Sequence, residues 1–158
     1  CINPGFVLGD FLNEKTCTSM EYAKQLLQGK YPAAPKFSVM ISHVKDVAKA
    51  HVLSLSNKRA GGRRLIVGSE VRSILELSQI MAKNIPSHAK KLPKRELPNF
   101  MVKLLSYIDT SAKTMVPDLG LIMQTDQTYA EDILQMKFMA SEIAVVDAAK
   151  SVIRLNLA

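Results

Sequence analysis

The run Ile2-Asn3-Pro4-Gly5-Phe6-Val7-Leu8-Gly9 at the head of the chain limits its fold more than any other feature. An apolar segment rich in β-branched residues and closed by glycine reads as a buried strand. Pro4 cannot donate to a β-ladder, and Gly5 lets another group approach the backbone closely, so both mark the strand's end. A strand buried from its second residue needs partners for its flanking backbone groups. Together with the missing initial Met, this predicts the second half of a larger protein.

A loop to about Thr16 leads to a helix that Thr18 or Ser19 can cap, with Glu21 in its first turn and Gly29 as its stop. Tyr22 with Leu26, and Ala23 with Leu27, give that helix one apolar face. Tyr31 to Pro35 is a proline-punctuated loop, and Phe37 to Val44 a short strand with Phe37, Val39 and Ile41 on one side. Asp46 opens a helix to about Asn57 carrying Val47, Ala50, His51 and Leu55. Ala60-Gly61-Gly62 is a turn, Arg64 to Gly68 a buried strand, and Ser73 with Glu76 a capping box for a helix with Ile74, Leu77, Ile80 and Met81.

Residues 84–98 hold Pro86, Pro93, Pro98 and the basic stretch His88 to Arg95, which marks a loop or a change of subdomain. Helical spacing resumes at Asn99 with Phe100, Leu104 and Ile108, and breaks around Met115 to Gly120. Two further helices are expected, at Asp126 to Met136 and at Ser141 to Asn156. Ser141 would cap the last, and Ile143, Val146 and Ile153 would form its apolar stripe. The chain reads as mixed α/β, large enough at 158 residues for one domain with a sizeable core.

Several chemistries are excluded. No apolar run approaches the roughly 20 residues that cross a bilayer. Cys1 and Cys17 have neither metal-ligand spacing nor a disulfide framework, which makes a reducing cytoplasm the default setting. His43, His51 and His88 form no metal motif, and there is no GxGxxG, Walker lysine or GxSxG pattern. A net charge of +7 raises the question of nucleic acid. The basic residues are scattered, however, Trp is absent, and the stretch from His88 to Arg95 has no aromatic residue for base stacking, so it reads as a solvated connector. Nothing in the chain is a complete active site. Ligands of open α/β sheets do bind just beyond strand ends, where backbone groups of Asn3 to Val7 could hold a flat, amide-bearing ring. A plain β-turn explains the same residues.

INPGFVLG, TSMEYAKQLLQGKYPAAP, HVKDVAKAHV and RLIVGSEVRSILELSQIMAKNIP, in this order, resemble blocks of the extended short-chain dehydrogenase/reductases. The similarity lies in that family's C-terminal half, in the dihydroflavonol reductase and cinnamoyl-CoA reductase subgroup of the NAD-dependent epimerase/dehydratases. It extends over nearly the whole chain, through Tyr129-Ala130-Glu131 and Val145 to Ser151 near its end. The resemblance implies the end of an NAD(P)-binding Rossmann fold (1–15 and about 44–70) and a mostly helical substrate-binding domain (16–43 and 71–158). It further implies NADP or NAD as cofactor, lying against Pro4, Gly5, Phe6 and Val7, with Ser19 near its phosphates. Met40 and Ser42 would line the substrate pocket. His43 and Asp46 match the family signature, but they read as a packing residue and a helix-start residue, and His51 as a core histidine.

Two positions depart from the family: Gly9-Asp10 stands where Gly-Pro is usual, and Leu134-Gln135-Met136 where Leu-Gly and an aromatic are. The glycine-rich dinucleotide loop and the catalytic Tyr-x-x-x-Lys belong to the other half of such enzymes, so no residue here is expected to be catalytic. The expected parent is a reductase that transfers hydride to the carbonyl of a small organic molecule. A nucleotide-sugar epimerase/dehydratase, with Lys90, Lys91, Lys94 and Arg95 as its diphosphate set, is one alternative. A basic nucleic-acid-binding module is the other.

Overall fold

The computed structural model describes residues 1–15, 17–107, 113 and 116–158. The opening segment is not one strand. It divides at Gly5 into β1 (Ile2–Pro4) and β2 (Phe6–Leu8). β1 runs parallel to β5 (Leu65–Val67), with Asn3 opposite Ile66, whereas β2 runs parallel to β4 (Ser38–His43), with Phe6 opposite Ile41. The start of β4 also pairs, antiparallel, with β6 (Val71–Ser73), and a two-residue parallel ladder joins β3 (Ala34–Pro35) to β7 (Glu96–Leu97).

Local chemistry sets the helix ends. α1 (Thr18–Leu27) has Cys17 at its N-cap, one residue earlier than expected, and Gly29 follows it with φ 77°. α2 (Val44–Ser56) begins before Asp46 because His43 caps it: the Lys45 amide donates to Nδ1 at 3.1 Å. α3 (Ile74–Asn84) has the anticipated capping box. Its Glu76 amide donates to Ser73 Oγ at 3.2 Å, and the Ser73 amide donates to Glu76 Oε2 at 2.7 Å. α4 (Asn99–Leu105), α5 (Thr128–Leu134) and α6 (Ser141–Arg154) complete the chain. Ile108 and Met115 lie outside the described residues.

Three expectations are corrected. His51 lies exposed on α2, and its Nδ1 donates to the Val47 carbonyl at 2.8 Å, one turn back. Ser141 is the first residue of α6 and Ala140 its cap. The stripe that α6 buries is Ala144, Val145, Ala148, Ala149 and Val152, and Ile143 is left exposed. Small residues let this helix sit close to its neighbours, which turns the larger side chains outward.

The buried apolar residues form two clusters. The larger joins Leu8 and Phe11 to α1, α3, α6 and Ile41 of β4. The smaller joins Ala50 of α2, Leu65 and Val67 of β5, and Ala130, Ile133 and Leu134 of α5. They meet where the opening strand changes partners, at Gly5.

Candidate functional site

A strand can leave one neighbour for another only if some group satisfies the backbone at the crossing. Ser42 does this: the Gly5 amide donates to Ser42 Oγ at 2.8 Å, and the Ser42 hydroxyl donates to the Val67 carbonyl at 2.6 Å. The crossing is tight. A Cβ on Gly5 would lie 2.3 Å from the Met40 carbonyl oxygen, and the Met40 Cε would be within 2.9 Å of Cβ positions at both Gly5 and Gly68.

Above the crossing, Asn3, Pro4 and Gly5 stay exposed although two of them lie in a strand. They rim an open depression of about 390 Å³. Phe6 of β2, Val39 and Met40 of β4, and Ile66 of β5 form its floor and sides, and Met123 and Thr125 approach from a distant part of the chain. None of these side chains ionises. Behind Phe6 the Tyr22 ring packs edge-on, centroids 6.1 Å apart, and Tyr31 lies on Tyr22 at 5.1 Å. Burial, reinforced by Tyr31, pushes the Tyr22 phenol well above the usual tyrosine range, so it stays protonated.

Of the residues singled out from sequence, Pro4, Gly5, Phe6 and Met40 meet in this depression. Ser42 lies fully buried beneath it with its hydroxyl committed to the crossing. Val7 and Ser19 meet each other instead: the Ser19 hydroxyl donates to the Val7 carbonyl at 2.5 Å, tying the first turn of α1 to β2. Beside them, burial pushes the Cys17 thiol up. The Ser19 hydroxyl and the amides of Met20 and Ser19 outweigh it, leaving the thiol below its ordinary value.

His43 is more than packing. Because Nδ1 accepts from Lys45, Nε2 carries the proton and donates to Asp147 at 3.3 Å. Asp46 accepts the Met139 amide at 2.7 Å. At the departure from the family pattern, Asp10 pairs with Lys45 at 2.7 Å, which holds its carboxyl below the usual range. Among the described residues no group of His, Cys, Asp or Glu is placed to hold a metal ion. Lys90, Lys91, Lys94 and Arg95 are all exposed, and none lines the depression.

Sequence reading missed four lining residues. Ile66 could have been found from its place in the RLIVG strand, and Val39 from its place beside Met40. Met123 and Thr125 sit in irregular chain with no local pattern to flag them.

No protein-family model matches the chain. A curated relative, tetraketide alpha-pyrone reductase 2 of Arabidopsis thaliana, is 31% identical over 87 residues, which is 55% of this chain and 27% of that protein. The structure of Gre2 in complex with NADPH from Candida albicans matches 98% of this chain and 43% of its own, with a TM-score of 0.70 and 22% identity. A nucleoside-diphosphate-sugar epimerase from Pseudomonas aeruginosa matches 99% of this chain and 48% of its own, with a TM-score of 0.75 and 13% identity. The fold is therefore the Rossmann-type α/β arrangement of these structures, in the part they share with this chain. The chain spans less than half the length of each of the three.

Proposed function

We propose that this chain forms the nicotinamide-side wall and the substrate-binding portion of an NAD(P)-dependent reductase acting on the carbonyl of a small organic molecule. The observation that carries this reading is the convergence of Pro4, Gly5, Phe6 and Met40 on one apolar depression where a strand passes from one sheet to the other. Open α/β sheets bind their ligands just beyond the carboxyl ends of strands, and β1 ends at Pro4. The segment fits a nicotinamide in that the Pro4–Gly5 backbone is exposed at the rim of an apolar depression. When bound, the dinucleotide supplies the hydride for the carbonyl carbon.

This chain's residues orient and exclude. Pro4 to Phe6 offer the ring a face, Ser42 holds Gly5 in place from below, and Val7, outside the depression, ties the segment to α1 through Ser19. Ser19, in the first turn of α1, stands at the positive end of a ten-residue helix, which suits the cofactor's phosphates. The apolar floor offers water no hydrogen-bond partner on that side of the ring. The proton acceptor and donor chemistry would come from a Tyr-x-x-x-Lys pair, a pattern absent from these 158 residues, so the chain alone should be inactive.

The packing supports a division into a Rossmann part and a substrate-binding part with its seam at Gly5. By cluster, β1, α2, β5 and α5 group on the Rossmann side, and β2, the segment to Phe11, α1, α3 and α6 on the other, so this division differs from the sequence-based bounds in β2 to Phe11 and in α5. Two exposed free cysteines suit a reducing cytoplasm. Among the described residues no helix is long and apolar enough to cross a membrane. Reductase is preferred to epimerase because the 31% identical relative is a reductase, whereas the epimerase likeness is in fold, at 13% identity.

The test measures NADPH and NADH binding calorimetrically, and carbonyl-dependent oxidation of the reduced nicotinamide, on the full-length protein and on this chain alone. Binding and turnover by the full-length protein, with no turnover by the chain alone, are expected. A full-length protein that binds neither nucleotide ends the proposal. Binding of nucleic acid that weakens steeply with salt would replace it with the basic-module reading.

A further inference from the structure

The depression has a wall that the reading above leaves unused. Residues 120–123 run along the leading end of β4, where the Gly120 amide donates to the Lys36 carbonyl at 2.7 Å. The Met123 amide then donates to Ser38 Oγ at 2.9 Å, and the Ser38 hydroxyl donates to the Leu121 carbonyl at 3.4 Å. A single serine thus holds the backbone on both sides of Ile122, much as a strand partner would. Past that clasp, Met123 and Thr125 reach the rim of the depression, facing a surface made by Pro4, Phe6, Val39 and Met40. Met123 is 45% exposed, so its side chain is open to a ligand on one side and anchored through its backbone on the other.

We infer that Met123 is a specificity-determining residue of this site, that Ser38 positions it, and that the site selects an uncharged carbonyl compound. The inference rests on the reductase reading. Its chemistry follows from the lining that this chain supplies: among the described residues Asn3 and Thr125 bring the polar side chains, and no cation stands among them to meet an anion. A carboxylate or phosphate entering there would lose its hydration without compensation. Two thioethers, Met40 and Met123, face the site with soft, adaptable surface that suits an aryl group.

The probes are acetophenone and benzoylformate, of similar size and differing in a carboxylate, used with the full-length protein and NADPH. Acetophenone should be reduced, with kcat/KM for benzoylformate lower by about a hundredfold or more. Met123→Ala should raise KM for acetophenone about tenfold and leave kcat within about twofold. Ser38→Ala should raise KM about threefold by releasing the clasp, and Ser38→Thr, which keeps the hydroxyl, should restore it. Saturation-transfer NMR of acetophenone is read in parallel. Binding without turnover, weakened by Met123→Ala, sinks the reductase reading and keeps Met123 as a ligand contact. No acetophenone binding, equal turnover of benzoylformate, or an unchanged KM in both Met123→Ala and Ser38→Ala overturns the inference.

Discussion

The two apolar clusters that meet at Gly5 are finished to different degrees. Around β2 and β4, three helices enclose Leu26, Leu27, Ile41, Ile74, Ala148 and Val152, all completely shielded from solvent. Around β1 and β5, α2 buries Ala50 on one face yet leaves Val52 at 67% and Leu55 at 89% exposure on another. Among the described residues β1 and β5 pair only with each other, so both edges of that small sheet lack a strand partner. The larger region is closed by its own residues. The smaller presents apolar side chains and a strand edge, the features of a surface built to be covered, which agrees with its proposed place in a longer Rossmann sheet.

The comparison breaks most visibly through paired truncations. Leu77→Ala in the closed region should cost about 3–4 kcal/mol in urea denaturation, as a fully buried leucine does. Leu55→Ala on the outer face of α2 should stay within about 0.5 kcal/mol. An equal cost for the two would mean that the α2 face is already covered. Next in size is Gly5→Val at the seam: its Cβ would press 2.3 Å from the Met40 carbonyl, and a loss of about 2–3 kcal/mol is expected. If the seam couples the regions, they still unfold in one transition; two separated transitions would show them to be independent.

A smaller, opposite effect belongs to the second region. Gln135 ends α5 in the left-handed conformation at φ 49°, a strain partly offset by its side chain donating to the Asp132 carbonyl at 2.6 Å. Gln135→Gly should raise stability by up to about 1 kcal/mol, and no gain would mean that the side-chain bond offsets the strain in full. The smallest effect concerns pH. The Ser73 amide, with Arg72 and the Ser73 hydroxyl assisting against partial burial, holds Glu76 below its ordinary 4.5. Its contribution is therefore present above pH 4.5 and is lost as pH falls through the lower folded value. Glu76→Gln should flatten the acid limb of the stability curve; an unchanged limb would assign acid sensitivity elsewhere.

What the sequence disclosed was local or periodic. The Ser73–Glu76 box, the Gly29 stop and the RLIVG strand each rest on a few neighbouring residues, and each stands where expected. The partner change at Gly5 was not legible, because a run of apolar residues says that a strand is buried without saying on how many neighbours. The phase of α6 is not legible because Ile143 and Ile153 outweigh alanines on any hydrophobic count, although close helix packing favours the alanines. Val47, Ala50 and Leu55 around His51 in sequence suggest an apolar face, yet only Ala50 of that set is fully buried. At the candidate site, Pro4, Gly5, Phe6 and Met40 could be named in advance. Met123 and Thr125 could not, since their arrival depends on the Ser38 clasp some 85 residues away in sequence.

The Ser42 hydroxyl also has a kinetic meaning. Its two bonds span 37 residues to Gly5 and 25 to Val67, so the pair is complete only when three remote pieces of chain are in place. The knot at the seam should therefore form late, after each cluster has collapsed on its own, and open early. Hydrogen exchange at the Gly5 amide would then time the joining of the two halves of the molecule rather than the folding of either one.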